Sequence, residues 1–399
     1  MRILLLQGPV GGFFGYLARH LELAGHTAMK IDFNGGDYFF SSTGPRLAFR
    51  DGHRRWRRWF RTFCAEWKPD IILALGGQRP IHRDAARVAN EAGIRFLCFE
   101  EGYLRPGYVT LESGGNNATS PVRKSWPPAG PEPDAEPGPS HRPSFKHMGW
   151  KASAYYTALA LGRPFFKGYL HHRRRGWWSE VYYWNRSYLR LLLSRKRDEQ
   201  ATELLRGRDH PSFFLIALQV HDDLQLLRHG RGWRNTKFVR AVMDSFKVHA
   251  DPRCRLVFKV HPQDRGHRSY RRRIWAEAEE RGLRDRIQVL QSGALVPVIR
   301  NARGLITINS TSGIAALESG VPVYALGDAI YQHERLLGAA QTLEGLDGFW
   351  SNPVAAKPEA VTSFLNHLRL HSLLAGSFYD EDTWLTLAEA VTKRLEASH

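Results

Sequence analysis

The chain has 399 residues, enough for two domains that each bury a core, and its 43% hydrophobic and 24% charged content excludes a disordered chain. It carries 57 Lys and Arg against 39 Asp and Glu, a net +18. That surplus calls for an anionic partner, whether nucleic acid, an acidic lipid surface or a phosphorylated substrate, unless it is only the solvated surface of an Arg-rich protein. Three widely spaced cysteines, Cys64, Cys98 and Cys254, exclude a disulfide framework and form no zinc motif, so neither a metal nor a cofactor is expected.

The opening run MRILLLQGPVGG is too short in apolar residues for a secretory signal and reads as a first strand. No window reaches the ~18 to 20 apolar residues of a membrane span. A cytoplasmic location, free or held on a membrane surface, is therefore expected. From there the chain alternates short apolar strands with amphipathic helices: RILLLQG (2–8), a Gly-rich turn and a helix, AMKIDF (28–33), a basic helical stretch near 46–68, DIILALG (70–76), another helix, and IRFLCFEEG (94–102). This is the pattern of a parallel α/β domain.

Residues 121–144 are Pro-rich and read as a loop without a fold of its own, and 150–206 as a basic, aromatic helical stretch. The strand pattern then resumes in SFFLIALQV (212–220), CRLVFKVHP (254–262), RIQVLQ (286–291), GLITIN (304–309) and VPVYALG (321–327). The expected architecture is α/β with two Rossmann-like domains, GT-B-like, divided as 1–120, an insert at 121–206, 207–375 and a C-terminal helix at 376–399. In such sheets ligands lie at the carboxyl ends of the strands.

The residues just beyond those strand ends are chemically unusual. Gly11 and Gly12 follow the first strand, where a bare backbone admits an anion or merely packs a tight turn. Glu100-Glu101-Gly102 closes the strand near 99, placing two carboxylates where a raised pKa suits a general base, or else simply two solvent-facing acids. Gln219, Asp222 and Asp223 follow strand 212–220; an N-cap explains one of these acids but hardly both. The pair His261-Pro262 ends strand 254–262, because proline cannot extend the ladder, and leaves an imidazole at the mouth of the sheet near Lys259. Asn309, Ser310, Thr311 and Ser312 open a helix with hydroxyls and free amides, a ready phosphate cradle. Glu318 on that helix is either a ribose partner or an ordinary exposed acid.

Taken in order, FFGYLARHLELAGH, IDFNGGD, EEGYLRPGYVTLE, QVHDDLQL, VHPQDRG and INSTSGIAALESGVPVYALG resemble the bacterial capsule polysaccharide proteins of the KpsS and KpsC type. The resemblance implies a retaining transferase that moves β-Kdo from CMP-β-Kdo to a phosphatidylglycerol-type lipid at the cytoplasmic face of the inner membrane, alongside other capsule assembly proteins. The first domain would be the acceptor side and the second the CMP-sugar side. Sialyltransferases share the acid-acid-Gly and His-Pro motifs, matched here by Glu100-Glu101-Gly102 and His261-Pro262, but they invert. The Kdo enzymes' Gln-x-x-x-Asp-x-Ser-Ile motif matches at Gln219 and Asp223 and departs at Gln225-Leu226, which favours Asp223 as nucleophile with Asp222 as the alternative. Glu100 is then the base for the acceptor; His261 and the 310–312 hydroxyls hold the departing phosphate, and Lys259 and Arg105 hold sugar or nucleotide anions.

RRWRRWFR (54–61) and residues 163–197 interleave Arg with Trp, Tyr and Phe, a composition suited to an anionic membrane surface. The rival readings are a nucleic-acid-binding protein, for which no reading motif is present, a non-catalytic export subunit, and a transferase using another CMP-sugar.

Overall fold

A computed structural model describes residues 1–41, 44–135, 138, 145–169, 177–207, 209–338 and 341–397, with backbone alone over 145–149 and 177–181. The chain divides into two domains, Met1–Trp177 with Asn366–His399, and Trp178–Leu365.

The first domain is built on a seven-stranded sheet of β1 (Arg2–Leu5), β2 (Thr27–Asp32), β3 (Arg46–Ala48), β4 (Ile71–Leu75), β5 (Arg95–Glu101), β6 (Tyr108–Ser113) and a late strand, Leu373–Ala375. The order across it is late strand-β6-β5-β4-β1-β2-β3; β6 is antiparallel to both neighbours and the remaining pairs are parallel. Side chains alternate between the faces of a strand, so each run feeds two cores. Ile3, Leu5, Ile71, Leu73, Leu97 and Phe99 pack on one face with helices Phe13–Leu23 and Trp384–Glu396. Leu4, Leu6, Ile72, Ala74, Phe96 and Cys98 pack on the other with helices His53–Trp67 and Pro80–Glu91. Strands buried on both faces read as unbroken apolar runs, which is why they stood out.

The second domain holds a parallel sheet of β7 (Phe213–Ala217), β8 (Arg255–Lys259), β9 (Ile287–Leu290), β10 (Gly304–Thr307) and β11 (Val323–Ala325), ordered β11-β10-β7-β8-β9. The Leu373–Ala375 strand is β12. Counted within its domain, each sheet carries the Rossmann order 3-2-1-4-5. The expected α/β class with two Rossmann-like domains, as in GT-B-like chains, is what the strand orders show. Each order reverses once, between β1 and β4 and between β7 and β10, the switch points beside which open α/β sheets bind ligands.

Several expectations need correction. The domain boundaries differ from those expected. β12 joins the first sheet by pairing with β6, so 366–399 returns to the first domain, and the supposed insert divides at Trp177. The Pro-rich stretch is folded where it is described: Val122 and Trp126 are buried, and Asn366 accepts from the Ala135 amide and donates to the Pro133 carbonyl. Residues 136–137 and 139–144 lie outside the described residues.

The RRWRRWFR motif is not an aromatic membrane face. In helix His53–Trp67, Trp56 and Phe60 are fully buried, while Trp59, Phe63 and Trp67 pack half-buried against the same core. Helical spacing turns the rings inward and the arginines outward, and Arg57 and Arg61 both pair with Glu91. In the 163–197 stretch, residues 170–176 lie outside the described residues. Further along, helix Trp177–Arg206 leaves Tyr182, Trp184, Tyr188, Leu189, Leu192 and Leu193 each more than half exposed.

Candidate active site

In the second domain β7 is central, with β10 on one side and β8 on the other, so the loops leaving these three strands emerge within roughly 10 Å of one another. Gln219 ties the switch point shut. Its side-chain oxygen accepts from the Asn309 amide at 3.1 Å, and its carbonyl accepts from buried Asn235 at 2.6 Å. Asn309 is fully buried and its side chain donates to the Gln225 carbonyl. Gln219 and Asn309 are therefore framework, holding one loop against the other.

Asp223 is the N-cap of helix Leu224–His229 and accepts from the Gln225 amide at 2.8 Å. Asp222 is half-buried, 3.9 Å from His221 Nδ1. The sequence places His221 at this strand end without a role; its ring is fixed by Asp264, with Nδ1 2.5 Å from one Asp264 oxygen and the His221 amide donating to the other at 2.8 Å. Asp264 is 1% exposed. A buried carboxylate that accepts from Nδ1–H fixes the tautomer and orientation of the ring, with Nε2 the acceptor of the neutral form. The signal for this pair was available in QVHDDLQL and VHPQDRG, but only the adjacency of β7 and β8 joins them.

His261 caps the short turn Pro262–Asp264, its Nδ1 accepting from the Gln263 amide at 3.2 Å. In the neutral ring this assigns the proton to Nε2, a donor suited to a phosphate oxygen. Pro262 fills the first position of that turn and is exposed. Lys259 does not share this role. Its Nζ is buried, donates to the Ser292 carbonyl, and is pushed down to about 8 by burial despite the opposing attraction of Asp198. Asp198, itself buried, reaches in from helix Trp177–Arg206 and accepts from the Gln291 amide and the Ser292 hydroxyl, both at 2.9 Å. Lys259 thus belongs to the packing of that helix onto the sheet.

After β10, Ser310 and Ser312 hydroxyls lie 2.8 Å apart, and the Ser312 amide donates to Ser310 Oγ at 3.2 Å. Thr311 occupies the N-cap of helix Ser312–Glu318 without a side-chain cap bond. Tyr331, fully buried, donates to the Ser310 carbonyl at 2.6 Å, and a Cβ on Gly313 would overlap its ring. Glycine there is what allows the tyrosine to reach the turn. Glu318 is exposed on the last turn of this helix, roughly 9 Å along the axis from Ser312, so the 310–312 turn does not include it.

In the first domain the switch point is a buried polar knot. Gln7, just past β1, donates to Asp37 at 3.0 Å and to Tyr169 at 2.8 Å, and its oxygen accepts from Arg79 at 2.9 Å. Asp37 also accepts from Asn34 and Tyr155, and burial pushes its carboxyl up. Asn34 caps the GGD turn, where a Cβ on Gly36 would come within 2.8 Å of the Tyr155 ring on helix Phe145–Leu161. Gly11 and Gly12 precede helix Phe13–Leu23. Gly11 has φ +113, and a Cβ on Gly12 would lie 3.3 Å from the Trp384 ring, so turn geometry and packing account for both.

Glu100 and Glu101 are the last residues of β5, so their side chains leave on opposite faces and do not form an acid pair. Glu100 is half-buried beside the Gly76 turn that carries Arg79; Glu101 is exposed and bonds Arg105 at 2.9 Å. Arg105 also donates to the Gly102 carbonyl, so its guanidinium is already engaged. Gly102 is required by close approach, because a Cβ would overlap the Tyr108 carbonyl.

A model of the family described as "Capsule polysaccharide biosynthesis protein" matches residues 70–379. The chain belongs to that family. The match takes in every site residue above except the β1 turn and the Asp37 knot, apart from Arg79, Tyr155 and Tyr169. The chain is similar to the capsule polysaccharide export protein KpsS of Escherichia coli, 34% identical over 385 residues that span 95% of this chain and 97% of that protein. It is also similar to the capsule polysaccharide modification protein LipB of Neisseria meningitidis, 32% identical over 390 residues, 95% of this chain and 92% of that one. Among solved structures, Thermosulfurimonas dismutans KpsC, titled a beta Kdo 2,7 transferase, is 13% identical at a TM-score of 0.47, covering 98% of this chain and 99% of that one. The family expected from the six sequence motifs is the family found.

Proposed function

We propose that this capsule biosynthesis protein is a retaining glycosyltransferase that moves β-Kdo from CMP-β-Kdo to a phosphatidylglycerol-type lipid. The observation that carries the reading is the second-domain switch point. There Asp222 and Asp223, the His221–Asp264 pair, His261 and the hydroxyls at 310–312 all sit on loops leaving three adjacent strands.

Retention requires two displacements. The Asp223 carboxylate attacks the anomeric carbon while the CMP phosphate departs with the bonding pair. The acceptor hydroxyl then displaces Asp223, giving its proton to a general base, a contribution of roughly 10²- to 10⁴-fold for which Glu100 is the candidate. A phosphate already leaves well, so the site needs donors for its charge more than it needs an acid. His261 Nε2 and the 310–312 hydroxyls and amides take that role, with no metal or cofactor in the scheme.

Among the described residues no helix is long and apolar enough to cross a membrane. The exposed Tyr182, Trp184, Tyr188, Leu189, Leu192 and Leu193, followed by Arg195, Lys196 and Arg197, support attachment to an anionic inner-membrane surface at its cytoplasmic side, beside other capsule assembly proteins. The test is incubation of the purified chain with CMP-β-Kdo and the lipid, followed by mass analysis. A lipid product heavier by one or more Kdo units is expected. Free CMP without such a product, or no turnover, refutes the reading.

A further inference from the structure

Outside both switch points, Glu132, His367 and His371 converge. His367 and His371 are four residues apart near the end of helix Pro358–His371, so one helical face presents both rings, whose centroids lie 4.3 Å apart. Glu132 arrives from the Pro-rich stretch. Its Oε1 lies 2.7 Å from His367 Nδ1 and 2.7 Å from His371 Nε2, and one ligand atom from each of the three residues falls within 4.8 Å of the others. The sequence suggested no metal site, because 235 residues separate Glu132 from His367 and no motif spans them.

We propose that this trio binds a divalent transition ion of the zinc class, clipping the Pro-rich segment to the helix. The donor set is two imidazole nitrogens and one carboxylate oxygen, a His2Glu composition that leaves one position for water. Metal–ligand bonds of about 2.0 to 2.2 Å demand a small outward shift from the present hydrogen-bonded spacing. The ion takes the place of the shared protons: each imidazole carries its remaining hydrogen on the nitrogen turned away from the ion. For His367 that nitrogen, Nε2, is 2.8 Å from Ser125 Oγ, which accepts the hydrogen and fixes the ring, the supporting partner that ligating histidines normally have. The site opens to solvent through His371, whose side chain is 51% exposed, while Glu132 is 15% exposed.

The anchorage is already prepared. Asn366 bonds Pro133 and Ala135 on the same segment, so Glu132 is held at the ring edges without an ion. Binding then adds a bond to a positioned set of ligands rather than ordering a loose loop.

The experiment uses the full chain, freed of metal with a chelator, titrated with Zn²⁺ by calorimetry and with Co²⁺ by visible absorption. One equivalent bound, the d–d bands of a four- or five-coordinate Co²⁺ site, and a rise in Tm with Zn²⁺ are expected. His371→Ala, at a half-exposed position that should leave folding intact, is expected to weaken Zn²⁺ binding at least tenfold and abolish the Co²⁺ bands. Glu132→Gln is expected to weaken binding by a similar factor. With 18 histidines in the chain, binding elsewhere is the competing outcome. No binding, or binding that both variants leave unchanged, overturns the proposal and leaves the trio a hydrogen-bonded latch.

Discussion

Asp223 is asked to do two things, and one substitution separates them. Its carboxylate caps helix Leu224–His229 through the Gln225 amide, and it is the proposed nucleophile. Asn caps as well as Asp, whereas Ala does not and costs about 1 kcal/mol. For a domain of this size 1 kcal/mol is a Tm shift of about 2 to 4 °C. Asp223→Asn should therefore melt within about 1 °C of the parent yet lose transfer by on the order of 10³-fold or more, because an amide cannot form the glycosyl ester. Asp223→Ala should lose transfer equally and also melt about 2 to 4 °C lower. Thermal unfolding and lipid mass analysis on the same preparations read both effects. Turnover by Asp223→Asn within about tenfold of the parent refutes the nucleophile, and the same loss in Asp222→Asn would move the role one residue back. An unshifted Tm in Asp223→Ala refutes the capping argument.

Similar reasoning reaches three other positions. His261→Asn keeps an acceptor for the Gln263 amide and should leave Tm unchanged while weakening CMP binding; equal affinity would return His261 to turn packing. Gly313→Ala drives a methyl into buried Tyr331 and should cost about 1 to 3 kcal/mol, an effect that Tyr331→Ala in the same chain should largely relieve; an undiminished cost in the double variant refutes the clash. His82 is fully buried, its Nδ1–H donating to the Gly76 carbonyl, and burial pushes its imidazole down to about 3. The unfolded chain therefore binds a proton below about 6.5 that the folded chain refuses, so stability is complete above that pH and falls on acidification. The loss at pH 5 should be roughly 2 kcal/mol, and His82→Asn should flatten the dependence; an unchanged slope assigns the acid lability elsewhere.

What could be read from sequence, and what could not, divides by range. Doubly buried strands such as Ile71–Leu75 and Phe213–Ala217 announce themselves as apolar runs. β3 and β12, three residues each, do not, and β12 carries the domain boundary with it. Single-loop motifs could be read as candidate positions because each lies within a few residues of one strand end. Their partners did not appear, because Asp264 meets His221 across 43 residues and Tyr331 meets Ser310 across 21, pairings that only strand adjacency creates. Glu100 and Glu101 do not act as a pair, for a local reason that strand alternation supplies: neighbours in a strand face apart. Arg57 and Arg61 of the basic motif were counted as free charge, while Glu91, from another helix, neutralises part of it.

The three strand-end loops of the second domain share a device that bears on the proposed catalysis. Asp223 accepts from the amide of Gln225, His261 from that of Gln263, and Ser310 from that of Ser312, each two residues on. Such a bond fixes the side-chain rotamer against its own backbone, so the second oxygen of Asp223 and Nε2 of His261 point in set directions before any substrate arrives, and the Ser310 oxygen is held in place. Donors and a nucleophile aligned in advance lose little entropy and need little reorganisation when charge moves from the sugar to the departing phosphate. In the proposed mechanism the capping bond that makes each residue look merely structural is the feature that fits it for chemistry. Substitutions that retain the cap while removing the second polar atom should consequently be silent in stability and severe in rate.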